Sequence, residues 1–305
     1  MQHRGRALAF TFAVTFVPVL GVLGILIAAL MTLRKGIVDG AAFTLAATLP
    51  IVLGFFVTGS GVQTASLMVW AVLGVAVVSN LLTWAFAVML ARHASWSQIL
   101  QLAALLGVLA ISLIHMAYPD VGVWWGLQLQ DYYNQAAALA SNGLQAGTEA
   151  AQSHAEAISV SRFYATGVMV SGVLFNALVQ LAVARWWESA LYSPDRLRKE
   201  LHHIRLSPLA GALFVLAMGL AYYGNEVVLD MMPVLYLLFV VAGLSLVHYF
   251  FGLMQSKTAF FWLVLFYAVL IYSTLGVSGA GGAFLVVMMA LADIWLDFRK
   301  RFKKS

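Results

Sequence analysis

The chain has 305 residues, of which 63% are hydrophobic and only 10% are charged, whereas soluble domains carry about 25% charged residues. A water-soluble fold is excluded, because it could not bury that much apolar surface. The net charge is +5 and cysteine is absent, so disulfides, thiolate metal sites and cysteine nucleophiles are excluded as well.

Apolar stretches recur along the whole chain, and a run of about 20 apolar residues is long enough to cross the ~30 Å hydrocarbon core of a bilayer. They are residues 7–32, 37–57, 64–91, 97–117, 163–184, 208–223, 231–252, 258–275 and 277–296. The sequence therefore predicts an all-α fold, a polytopic transmembrane helical bundle that forms one integral membrane domain over residues 1–305.

The first stretch carries Pro18, Gly21 and Gly24 near its middle, and proline kinks or breaks a helix. Basic residues flank the stretch on both sides, and the positive-inside rule places both flanks in the cytoplasm. We therefore predict that residues 7–33 form a broken or re-entrant hairpin, followed by about eight full spans. A single kinked span with an external N-terminus is the alternative.

Lysine and arginine are crowded into a few segments of the chain. One topology puts all of the 17 basic residues in the cytoplasm except Arg162. It predicts a multi-pass protein of a bacterial inner (plasma) membrane, with both termini cytoplasmic. Residues 118–161 then form a periplasmic helical insertion with a break at Ser141, Asn142 and Gly143, residues 185–207 a cytoplasmic amphipathic segment, and residues 298–305 a basic cytoplasmic tail.

Four segments carry a resemblance to a known family: ARWWESALY, PDRLRKELHHIRL, GLSLVHYF and ADIWLDFRKR. With them the chain resembles the YybS-like family of uncharacterised bacterial membrane proteins over nearly its whole length. That family is distantly similar to the substrate-binding S components of energy-coupling-factor transporters and to the cell-shape protein MreD. The resemblance implies an S-component-like core and a function in small-solute binding or transport. The likeness to MreD implies the alternative, a non-transporting scaffold or assembly factor that recruits cytoplasmic partners.

Three amides fall deep within predicted spans, where polar groups are costly. Asn80, Asn176 and Gln180 are the candidate ligand-binding residues, and Asn176 and Gln180 share a helix face because they are four residues apart. The alternative is an interhelical hydrogen bond, worth about 0.6 kcal/mol in membrane proteins. His115 and Asp230 fall within about one or two turns of predicted span ends, where we expect water or snorkelling to satisfy them.

A second group of candidates belongs to the predicted cytoplasmic side. It comprises Arg185, Trp186, Trp187, Arg198, Glu200, Arg205, His248, Asp293 and Asp297. The basic members suit anionic lipid headgroups or a protein partner. His248 and the two aspartates suit a proton-coupled or cation-binding role, unless neighbouring arginines neutralise the carboxylates.

Motifs for catalysis and nucleotide binding are missing from the sequence: it has no HExxH, P-loop, GxSxG or Rossmann pattern. We therefore predict no enzymatic activity, no catalytic residues, no metal and no cofactor. Nothing resembles a nucleic-acid-binding module. The expected partners are the lipid bilayer, membrane or cytoplasmic proteins, and a small-molecule ligand.

Overall fold

The computed structural model describes residues 2–17, 20–57, 67–140, 148–194, 196–254, 258–275 and 281–302. Within these ranges the chain forms α-helices and no strands, which confirms the all-α prediction. The helices are α1 (Gln2–Thr15), α2 (Gly21–Lys35), α3 (Ile37–Val57), α4 (Leu67–Ala91), α5 (Trp96–Ala117), α6 (Val121–Ala140), α7 (Thr148–Ser161), α8 (Ala165–Tyr192), α9 (Arg196–Leu201), α10 (Pro208–Tyr222), α11 (Glu226–Leu253), α12 (Ala259–Leu275), α13 (Gly281–Leu296) and α14 (Phe298–Phe302).

Five of the described helices, α3, α4, α5, α8 and α11, are long and apolar enough to cross a membrane. Helices α10, α12 and α13 are equally apolar, but they have only 15, 17 and 16 residues. At 1.5 Å per residue they measure roughly 23–26 Å, less than the ~30 Å hydrocarbon core. These helices indicate a membrane-embedded protein with five candidate spans, and eight full spans stay a prediction.

The chain divides into two compact units. The first unit comprises Met1–Leu100 and Gly172–Ile204, and the second comprises Gln101–Ser171 and Arg205–Ser305. The sequence predicts a single membrane domain, and this division was not part of that prediction.

In the first unit, α1 and α2 lie against each other and against α3. Arg4, at the start of α1, forms an ion pair with Asp39, at the start of α3. Because α3 follows directly after α2, the start of α1 lies near the end of α2, and the two helices are antiparallel. Gly24 allows the close approach, since a Cβ there would overlap the side chain of Thr15. Pro18, which we expected at the break, lies outside the described residues.

In the second unit, α11 packs against α10, α12 and α13. Phe214 of α10 stacks on Phe239 of α11 with ring centroids 4.2 Å apart. Helices α6 and α7 pack against each other within the segment predicted as a periplasmic insertion. The break expected at Ser141, Asn142 and Gly143 lies outside the described residues.

Gly243 lies where α11 closely approaches α13, because a Cβ there would overlap the backbone carbonyl oxygen of Val286. We expect Gly243→Ala to lower the free energy of unfolding by about 1–3 kcal/mol, since overpacking forces the helices apart. Gly219→Ala is the matched control, because no atom lies within 4 Å of its Cβ position, and it should be neutral or slightly stabilising. Equilibrium unfolding in mixed detergent micelles compares them, and equal stabilities would contradict the expected clash.

Candidate functional site

The three candidate amides belong to hydrogen-bond networks in the first unit. Asn176 donates its side-chain N–H to the hydroxyl of Ser79 at 2.7 Å, and Gln180 donates its side-chain N–H to the amide oxygen Oδ1 of Asn176 at 3.3 Å. The hydroxyl of Thr83 donates to the side-chain amide oxygen Oε1 of Gln180 at 2.7 Å. Thus a pair of residues four apart on α4 faces a pair four apart on α8.

Asn80 lies apart from that pairing and donates to the hydroxyl of Thr48 on α3 at 3.1 Å. Asn80 and Gln180 are each only 6% exposed. All three amides therefore have partners on neighbouring helices, the arrangement expected of interhelical packing. The sequence analysis missed the hydroxyl partners, although the spacing of Ser79 and Thr83 matches that of Asn176 and Gln180.

A buried ion-pair cluster lies where α8 meets α9 in the same unit. Arg185 is 4% exposed and forms ion pairs with both Glu188 and Glu200. Trp96 donates its indole N–H to Glu200 Oε2 at 3.1 Å, and Arg196 donates Nε–H to Glu200 Oε1 at 3.2 Å. These contacts attach the short helix α9 to α8 and to the start of α5.

Glu200 is saturated with donors. Each carboxylate oxygen accepts one hydrogen bond from Arg185 and a second from another residue, Arg196 for Oε1 and Trp96 for Oε2. Burial by itself raises the pKa of Glu200, but the hydrogen bonds from Arg185, Trp96 and Arg196 and the charge of Arg185 together outweigh burial and hold that pKa below its ordinary value. The carboxylate is therefore charged at neutral pH and fully occupied.

Beside this cluster the surface opens into a cavity of about 460 Å³, which we call the basic cleft. One side of the cleft is formed by residues 93–97, which lead from the α4–α5 connection into the start of α5. The other side is formed by side chains on or next to α8 and α9. The polar and charged members among the latter are Arg185, Arg196, Lys199, Glu200 and His203. His93 has a positive φ of 67°, which is uncommon for a residue other than glycine and costs backbone strain of the kind that clusters at functional sites.

Among the predicted cytoplasmic residues, only Arg185 and Glu200 line the basic cleft. Trp186 and Arg198 are exposed, and Trp187 is half-buried. The sequence analysis missed Trp96, Glu188 and His93. For Trp96 no local signal existed, since it lies 104 positions before its partner Glu200.

The remaining predicted residues lie in the second unit. Asp297 forms ion pairs with Arg205 and Lys300, both at 3.0 Å, and the hydrogen bond from Lys300 together with Arg205 lowers its pKa. Asp293, which is 3% exposed, lies 3.5 Å from Nε of Arg299. Basic side chains thus neutralise both carboxylates.

His248 bonds elsewhere in that unit. Its Nδ1 lies 2.9 Å from the carbonyl oxygen of Leu244, and its Nε2 lies 3.4 Å from the hydroxyl of Tyr267. In the ranges that the structure describes, no group of three or more His, Asp or Glu side chains is arranged to hold a metal ion. These observations favour a structural role for Asp293 and Asp297.

No family model, curated protein or solved structure matches the chain. The resemblance to the YybS-like family, and through it to S components and MreD, therefore stays a prediction. The function has to be inferred from the geometry of the chain itself.

A second buried polar centre joins three helices of the second unit. Asp230 accepts a hydrogen bond from the backbone N–H of Gly167 at 2.7 Å, and its other oxygen lies 2.9 Å from His115 Nε2. Asp230 is only 2% exposed, so the expectation that water serves it is wrong. No local pattern could predict this pair, because His115 and Asp230 are 115 positions apart.

Proposed function

We propose that the chain is a multi-pass protein of a bacterial inner membrane that binds a small solute in the basic cleft, as part of solute uptake or transfer. The single observation that carries this proposal is the cleft itself, in which the cationic side chains of Arg196 and Lys199 and the imidazoles of His93 and His203 surround one cavity. The positive-inside rule puts these segments on the cytoplasmic side.

Size and construction support a binding site. Small-molecule sites in proteins measure about 300–1,000 Å³, and the volume of about 460 Å³ falls in that range. The buried ion-pair cluster around Arg185 holds one wall of the cleft in place, while Lys199 and His203 remain exposed. A fixed wall with exposed polar groups suits a ligand that must enter and leave.

The polar interior around Asn80, Asn176 and Gln180 supports a different role. These amides are satisfied by one another and by hydroxyl groups, so a solute would have to displace existing hydrogen bonds in order to bind them. We therefore place the ligand in the basic cleft and assign the amides to helix packing.

A non-transporting scaffold is the second candidate. It is favoured by the exposed Trp186 and Arg198 beside a firmly attached α9, since aromatic and arginine side chains are enriched in protein interfaces. In that case the partner would cover the outside of α9, and the cleft would have no solute.

Thermal unfolding of the purified protein in nanodiscs, against a panel of water-soluble metabolites, tests the proposal. A solute at 100 times its Kd should stabilise the protein by about 2.7 kcal/mol. Ala94→Trp, which fills the cleft, should weaken binding at least tenfold, whereas Gln180→Leu, in the amide network, should leave the Kd unchanged. If no solute stabilises the protein, or if Gln180→Leu alone abolishes binding, the cleft is not the solute site.

A further inference from the structure

We infer that the basic cleft recognises a phosphate monoester, through Lys199, Arg196 and the two histidines His93 and His203. This inference rests on the proposed function, because it names the chemical class of the ligand at that same cleft.

The only carboxylate lining the cleft, among the residues that the structure describes, is that of Glu200. Both of its oxygens already accept two hydrogen bonds from protein groups. Binding a cation or a donor-rich ligand would require breaking these bonds inside a partly buried cluster, at the full cost of leaving donors unpaired. The cleft therefore offers a ligand no carboxylate oxygen that is not already hydrogen-bonded twice.

Donors, in contrast, are plentiful. Arg196 uses Nε for Glu200, and a guanidinium has five N–H donors, so four others are left for a ligand. Lys199 contributes an exposed ammonium group, and exposed His93 contributes an imidazole. Nδ1 of the exposed His203 already lies 2.6 Å from the backbone carbonyl oxygen of Lys199, so His203 has only Nε2 left for a ligand. The lining thus combines positive charge with hydrogen-bond donors, which selects an anion.

A phosphate monoester fits this lining better than a carboxylate does. Its three terminal oxygens accept several hydrogen bonds at once, and it carries about −1.5 to −2 charges at neutral pH. Arginine matches such an anion with paired N–H donors, while lysine supplies a point charge. A carboxylate has two oxygens and one charge, and it would leave part of the donor set without a partner.

A phosphate monoester has two possible sources, a soluble metabolite or the headgroup of phosphatidic acid, and the experiment separates them. We would titrate the protein in phosphatidylcholine nanodiscs with glycerol 3-phosphate, with inorganic phosphate and with acetate, using calorimetry. In parallel, spin-labelled phosphatidic acid and phosphatidylcholine would be compared as lipid probes. Saturable binding of glycerol 3-phosphate assigns a soluble ligand, and selective retention of phosphatidic acid alone assigns a headgroup.

Variants on α9 and directly after it provide a matched comparison. Lys199→Gln removes a charge from the lining of the cleft, and Arg198→Gln removes a charge from the adjacent position of α9, outside that lining. We expect Lys199→Gln and His203→Gln each to weaken binding of the phosphate monoester about tenfold, and Arg198→Gln to change it less than twofold. Lys199, His203 and Arg198 are all exposed, so each variant should unfold like the wild type.

The outcomes separate this inference from the proposed function. If acetate or a non-phosphorylated solute binds and phosphate monoesters do not, the inference is overturned and the cleft remains a solute site. If Arg198→Gln weakens binding as much as Lys199→Gln, the attraction comes from diffuse surface charge and the inference also fails. If neither phosphate probes nor metabolites bind in any arm, the proposed function fails with it.

Discussion

Replacing Asp230 with alanine is expected to lower the free energy of unfolding by about 3 kcal/mol or more. The carboxylate is 2% exposed and bonds both to His115 and to the backbone N–H of Gly167. Gly167 lies in the first turn of α8, whose N–H groups have no partner within the helix. The substitution would therefore leave two polar groups without their partner at once, the buried N–H of Gly167 and the partly buried imidazole of His115.

Asp230→Asn and Glu226→Ala provide the comparison for this result. Asparagine keeps an acceptor for Gly167 and a donor or acceptor for His115, so we expect a loss of about 1–2 kcal/mol. Glu226 lies one turn earlier on α11 and is exposed, and its removal should cost less than about 1 kcal/mol. Equilibrium unfolding in mixed micelles measures all three, and an Asp230→Ala protein as stable as Glu226→Ala would show that the buried centre contributes nothing.

Replacing Arg185 with alanine should cost about 3–5 kcal/mol, because it removes the shared partner of two carboxylates. Glu188 is 7% exposed and would lose the guanidinium that neutralises it, while Glu200 would keep only the half-exposed Arg196 as an ion-pair partner. We expect α9 to detach from α8, which limited proteolysis between residues 193 and 204 would detect. Arg185→Lys should restore only part of the stability, since an ammonium cannot bond to a carboxylate in the paired manner of a guanidinium.

Arg198→Ala is the control for this substitution, because Arg198 is an exposed cation on the same short helix, and it should change stability by less than about 0.5 kcal/mol. The pH dependence gives a second measurement. The pKa of Glu200 is lowered in the folded protein, so its stabilising contribution is complete above the ordinary value of 4.5 and is lost as the pH falls through the lowered pKa. A wild-type protein and an Arg185→Ala protein with the same acid sensitivity would argue against the cluster.

The helical character of the chain could be predicted in detail from local pattern. Apolar runs of the right length indicate helices wherever they occur, and the predicted stretches 37–57 and 97–117 correspond to α3 (Ile37–Val57) and α5 (Trp96–Ala117). The number of full spans was less predictable, because the apolar stretches 208–223 and 277–296 correspond to α10 and α13, which have only 15 and 16 residues.

The partners of the polar residues were decided only in three dimensions. The sequence alone identified Asn80, Asn176 and Gln180 as residues that need an explanation, because the cost of burying such a group depends on the group itself. It did not place Trp96 beside Glu200 or His115 beside Asp230, since 104 and 115 positions separate them. Helix periodicity carries information over one or two turns, whereas those contacts depend on which helices pack together, and that is set by the tertiary structure.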